Sequence, residues 1–149
     1  MPDQPSVAPV VTWRWVADFF VEVFAESAIS NSDWGRLLAD LEQGRARLKG
    51  VLVSTKGATP SAAQRLELRK ILEQGAPVPA AILSESPMVR MALFALNLFL
   101  ENEARPRPFA PGQIDDALAH LKAPRELWPQ FRQAIAEMQR ALGIEGVTR

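Results

Sequence analysis

Apolar and polar residues alternate in two short stretches near the start of the chain. Residues 10–16 and 19–25 each repeat with a period of two, and Ala17-Asp18 separates them. In the second stretch Phe20, Glu22 and Phe24 stand opposite Phe19, Val21 and Val23. A period of two predicts a half-buried strand, and two strands this close together predict an antiparallel hairpin.

Three helices with capping residues are predicted in the middle of the chain. The first opens at Ser30 and carries an apolar stripe at i, i+3, i+4 and i+7, made by Trp34, Leu37, Leu38 and Leu41. The second opens at Thr59-Pro60 and runs to about Gln74, and the third opens at Ser86-Pro87 and is apolar on nearly every side from Met88 to Leu100. Apolar runs at 48–53 and 79–83 predict buried strands between these helices.

The last part of the chain predicts one edge strand and two further helices. Phe109 marks a short segment with flanking prolines, which only the edge of a sheet tolerates. A helix is predicted over 111–121, and a final helix runs from about Trp128 to Leu142. Trp128, Phe131, Ile135, Met138 and Leu142 follow one another at steps of three and four residues along that helix.

This order of elements predicts an α/β fold. Strands that alternate with helices form a mostly parallel sheet with helices packed on it. At 149 residues the chain fits one domain. We divide it into a loose N-terminus at 1–9, an α/β domain at 10–122 and a C-terminal helical extension at 123–149.

Composition narrows the range of functions. Seventeen basic residues balance seventeen acidic ones, which argues against a nucleic-acid partner. The chain has no cysteine and one histidine, His120, so neither a metal site nor a cofactor is predicted, and His120 is expected on the solvated side of its helix. No signal peptide or membrane span is expected, which favours the cytoplasm. No arrangement typical of catalysis is found, so the chain is expected not to be an enzyme.

These elements resemble the STAS domain, the fold of bacterial anti-sigma-factor antagonists, over roughly 10–121. The resemblance rests on the opening hairpin, the helix start at Asp33-Trp34, the strand at Gly50-Val51-Leu52-Val53 and the loop that leads to Thr59-Pro60-Ser61. It implies a STAS-like mixed sheet of four to five strands opened by an antiparallel hairpin, with an extra C-terminal helix beyond it. It also implies a non-catalytic regulatory module that binds another protein in signalling.

The loop before the second helix is the predicted regulatory site. Phosphorylated members of the STAS family carry an Asp-Ser-Ser-Gly type sequence there, whereas this chain has Ala58-Thr59-Pro60-Ser61, without the acid or the glycine. Thr59 is the best positional match for a phosphoacceptor, and Ser61 is the second. Thr59 is also explained as a helix N-cap, while Lys56 and Gly57 could hold an anion or a partner.

Two other functions remain open at this point. The chain could be a self-associating structural domain, a homodimer that uses the apolar 88–100 helix or the C-terminal helix. Its candidate interface residues are Met88, Met91, Phe94, Trp128, Phe131 and Ile135. Alternatively, the chain could bind a small anionic or apolar ligand at the helix starts near Thr59 and Ser86.

Overall fold

A five-stranded sheet runs through the molecule in the order β1-β2-β3-β4-β5. The computed structural model describes residues 9–87, 89, 91 and 106–144. The first two strands pair antiparallel, and the later neighbours pair parallel. This mixed sheet confirms the predicted α/β fold class. The strands are β1 (Val11–Val16), β2 (Phe19–Phe24), β3 (Gly50–Thr55), β4 (Ala80–Leu83) and β5 (Pro106–Phe109).

Four helices pack on this sheet within the described ranges. They are α1 (Asn31–Gln43), α2 (Ala62–Leu72), α3 (Ile114–His120) and α4 (Trp128–Ala141). Pro87, Val89 and Met91 are helical as well, in agreement with the predicted start at Ser86-Pro87. The rest of the predicted 88–100 helix lies outside the described residues. No helix within the described ranges has the length and apolar run that a membrane crossing requires.

The helices α1 and α2 cover one face of the sheet. The predicted stripe of α1 is confirmed, because Trp34, Leu37, Leu38 and Leu41 are all buried. The indole N–H of Trp34 donates to the Gln64 carbonyl oxygen at 3.1 Å, which fixes α1 against the start of α2. Strand β2 sends Phe20 and Phe24 into this layer.

A buried arginine holds the other end of α2. Arg45 is 6% exposed, and its guanidinium donates to the carbonyl oxygens of Ile71, Leu72 and Ala76. These donors pair with carbonyl groups at and just beyond the C-terminal end of α2, where intrahelical partners run out. Gly75 lies against this guanidinium, where a Cβ would approach within 2.9 Å of an Arg45 nitrogen.

The helices α3 and α4 cover the opposite face. Phe131 and Ile135 of α4 are fully buried against Val21, Val23 and Leu52 of the sheet. The Phe131 ring meets Phe19 edge to face, with 5.4 Å between ring centroids. The final helix therefore supplies core residues to the sheet, and in this conformation Phe131 and Ile135 do not face solvent.

Truncating Phe131 tests how much the sheet depends on α4. Phe131→Ala should lower the free energy of unfolding by about 3–5 kcal/mol, because it opens a cavity between α4 and the sheet. Gln130→Ala, one residue earlier and exposed, is the matched control and should change it by less than about 0.5 kcal/mol. Urea unfolding of both variants measures the difference. Equal stability of the two variants would show that α4 does not belong to the core.

Candidate functional site

The loop between β3 and α2 is closely fixed at its base. The Thr55 hydroxyl donates to the Ala58 carbonyl oxygen at 2.8 Å and accepts the Gly57 N–H at 3.1 Å. The Ala58 N–H donates to the carbonyl oxygen of Ala25, just beyond β2, at 2.9 Å. Gly57 has a φ of 149°, a backbone conformation that side chains disfavour. The base of the loop is thus anchored to β3 and to the residue that follows β2.

Ser61, and not Thr59, caps the second helix. The Ser61 hydroxyl accepts the Gln64 N–H at 3.1 Å, and the Gln64 side chain accepts the Ser61 N–H at 2.9 Å. This capping box places the start of α2 at Ala62, so the prediction of Thr59 as N-cap is wrong. The Gln64 amide also donates to the Ile29 carbonyl oxygen at 2.9 Å, which joins the cap to the start of α1.

The loop residues singled out in the sequence share one surface. Lys56 and Ser61 are exposed, while Gly57 and Thr59 are partly exposed. The guanidinium of Arg65 reaches back to the Pro60 carbonyl oxygen at 2.8 Å, so a positive charge lies beside Thr59. The Thr59 hydroxyl, which does not cap α2, and its basic neighbours form the polar part of the candidate site.

Small apolar residues continue this surface along α2. Ala62 and Ala63 are exposed, and Leu66 is 53% exposed. Positions three and four apart lie on the same side of a helix, so these three side chains form one strip next to the loop. We call residues 56–63 together with Leu66 the loop–α2 surface.

A small apolar cavity lies beneath the loop. Its volume is about 80 Å³, and Thr59, Pro60 and Trp34 are part of its lining. Glu22 also lines it, although this residue is only 3% exposed. Burial raises the pKa of Glu22 to about 8, because the low-dielectric surroundings disfavour the charged form. Glu22 is therefore a neutral acid in the folded chain at neutral pH.

The two predicted interface groups lie in different places. Met91 is 74% exposed. Val89, two residues earlier, is buried and lines the Glu22 cavity. Met88 and Phe94 fall outside the described residues. Phe131 and Ile135 lie under the opposite face of the sheet, and Trp128 is partly buried there with its indole N–H donating to the Ala123 carbonyl oxygen at 2.9 Å.

His120 is not on a solvated helix side, contrary to expectation. It is partly buried with its ring 5.9 Å from that of Phe109, and burial and the nearby Arg107 lower its pKa. Its Nε2 is buried without a hydrogen-bond partner in the described part of the chain. No group of three metal-ligating side chains occurs within the described ranges.

Comparison with known proteins identifies no relative of this chain. Neither family models nor curated proteins nor solved structures give a significant match. Among the described residues, the loop–α2 surface combines exposure, the Thr59 hydroxyl and basic neighbours.

Replacing each hydroxyl residue of the loop tests which one is the cap. Ser61→Ala should lower the free energy of unfolding by about 1 kcal/mol, because the Gln64 N–H loses its acceptor. Thr59→Ala should change it by less than about 0.5 kcal/mol. Urea unfolding measures both values. A larger loss of unfolding free energy in Thr59→Ala than in Ser61→Ala would show that Thr59 is the N-cap.

Glu22 should make stability depend on pH. Its folded pKa of about 8 lies above the ordinary 4.5, so the folded chain holds a proton that the unfolded chain releases between these values. Stability should be fully present below pH 4.5 and fall as pH rises towards 8. The slope should be about 1.4 kcal/mol per pH unit.

Urea unfolding across this pH range measures the slope. Glu22→Gln should abolish most of the fall, whereas Glu126→Gln, at an exposed position, should keep it. A wild-type chain whose stability rises across this range would contradict a buried neutral acid at Glu22.

Proposed function

We propose that the chain is a non-catalytic regulatory module that binds a protein partner through the loop–α2 surface. The exposed apolar strip next to the predicted regulatory loop is the observation that carries this proposal. The proposal includes the STAS-like role suggested by the sequence, namely a cytoplasmic signalling protein comparable with bacterial anti-sigma-factor antagonists.

The composition of the strip supports a protein partner. Ala62 and Ala63 let another backbone approach closely because their side chains are short. Leu66 then supplies an apolar side chain whose burial in a complex would contribute about 1–2 kcal/mol, somewhat less than full burial of a leucine. The rigid base of the loop favours association as well, because little conformational freedom is lost on binding.

Phosphorylation at Thr59 is the proposed regulatory event. A phosphate there would add a charge of about −1.5 to −2. Arg65 and Lys56 could pair with it, since the Arg65 guanidinium already contacts the loop at the Pro60 carbonyl oxygen. The Thr59 hydroxyl is also free to react without loss of the helix cap, because Ser61 supplies that cap.

Self-association is the second candidate, and the exposure of Met91 favours it. A side chain of this size that is 74% exposed could pack against a second copy of the chain. The solution mass measured by light scattering separates the two candidates, and the proposed function predicts a monomer.

Leu66→Glu tests the proposed partner surface. The variant should fold as stably as the wild type, since Leu66 packs little, but it should lose the partner by at least about tenfold because a charge replaces the apolar contact. Quantitative affinity capture from extracts of the source organism, followed by titration of the recovered partner, measures this loss. Gln130→Glu, exposed on α4, is the control and should retain the partner. If the wild type, Leu66→Glu and Gln130→Glu all captured the same proteins, the loop–α2 surface would not be the binding site.

A further inference from the structure

A second hollow lies next to the loop, at the edge of the sheet where the parallel strands end. Its volume is about 340 Å³, within the range of small-ligand sites. Ser54, Thr55 and Gln139 form its buried floor, and Glu26, Lys56 and Glu85 form its exposed rim. We call it the carboxyl-edge cleft. Open α/β sheets commonly bind ligands at this edge.

The amide of Gln139 in the floor lacks partners. Gln139 belongs to the buried side of α4 and is 6% exposed. Its Nε2 lies 3.5 Å from the Ser54 hydroxyl oxygen, a long contact, and its Oε1 is buried with no hydrogen-bond partner among the described residues. Turning the amide over would exchange the two atoms and still leave one of them unpaired.

An unpaired buried amide destabilises the folded chain. The unpaired group loses the hydrogen bonds that water supplies in the unfolded chain. Leucine or methionine would fill the same position on α4 without that cost, since Phe131, Ile135 and Met138 already make this side apolar. Because Oε1 is buried in this side-chain position, a ligand group would pair with the amide after Gln139 rotates towards the cleft, and would then recover the lost hydrogen bond.

The floor and the rim together indicate the chemistry of the ligand. A hydroxyl group can donate to Oε1 or accept from Nε2, so it satisfies the Gln139 amide in either orientation. Glu26 and Glu85 carry two negative charges against the single positive charge of Lys56, which favours a cationic group at the rim. Phe24, Leu83 and Ile144 add apolar wall that suits C–H groups.

We infer that the carboxyl-edge cleft binds a small polyhydroxylated amine of about monosaccharide size, with a ligand hydroxyl on the Gln139 amide and its ammonium group between Glu26 and Glu85. This site is separate from the loop–α2 surface and would remain if the proposed protein partner were wrong. Lys56 is the one residue that the cleft shares with the loop–α2 surface, so a ligand bound in the cleft would lie next to the loop.

Titration of the full chain with three related probes tests this site. Glucosamine should bind more tightly than glucose by about three- to tenfold, and glucuronate should bind most weakly, in line with the charge of the rim. Two-dimensional NMR should show the largest shifts at the Gln139 side-chain amide and at the backbone amides of Ser54 and Glu85. Absence of shifts at the cleft with all three probes, up to about 0.1 M, would overturn the inference.

Matched variants separate a built site from incidental contact. Gln139→Leu should weaken glucosamine binding by about tenfold while the melting temperature rises, because the unpaired amide is gone. Glu85→Gln, at an exposed position, should weaken glucosamine but not glucose, and Glu126→Gln should change neither. Unchanged binding in both cleft variants, or a cleft that holds ordered water only, would contradict a ligand site.

Discussion

The sequential order of the sheet determines where everything else in this molecule can lie. Strands β2 to β5 are parallel and neighbours in chain order, so right-handed connections place α1 and α2 on one face. Both sides of the central strands are nevertheless shielded from solvent, since every residue of β2 and β3 is buried. The second face must therefore be covered by residues that follow β5. Helix α4 does this with Phe131, Ile135 and Met138.

This arrangement leaves the carboxyl edge and the outer side of α2 as the accessible places near the candidate site. Both faces of the sheet are occupied by the chain's own helices, and the β3–α2 loop lies where the strands end. Two buried polar side chains flank that loop, Glu22 under Thr59 and Gln139 beside Lys56. Burying a polar side chain lowers stability unless hydrogen bonds compensate for the lost water, so two such residues on either side of one loop are consistent with a region shaped by function.

Local signals were sufficient for most of the fold and insufficient for the site. The hairpin and the stripe of α1 follow from periodicity alone, and Ser30 does cap α1 as predicted. Thr59-Pro60 was the predicted start of α2, but Ser61 and Gln64 form the capping box instead. Gln64 also donates to the Ile29 carbonyl oxygen, a contact that exists only once α1 is in place and that no local pattern reveals.

The buried polar residues were harder to foresee. Glu22 shares its side of the alternation with Phe20 and Phe24, which signals burial, but its neutral state depends on the helices above it. Gln139 follows Ile135 by four residues and so belongs to the apolar side of α4, yet its unpaired amide appears only when α4 docks on Ser54.

Amide hydrogen exchange of the full chain tests most directly whether α4 and the sheet form one core. Ile135 in α4 and Leu52 in β3 should open with the same free energy, as parts of one cooperative unit. Exchange of α4 at a much lower free energy than β3 would show that the helix detaches alone, and would make it, rather than the loop–α2 surface, the better candidate for binding a partner.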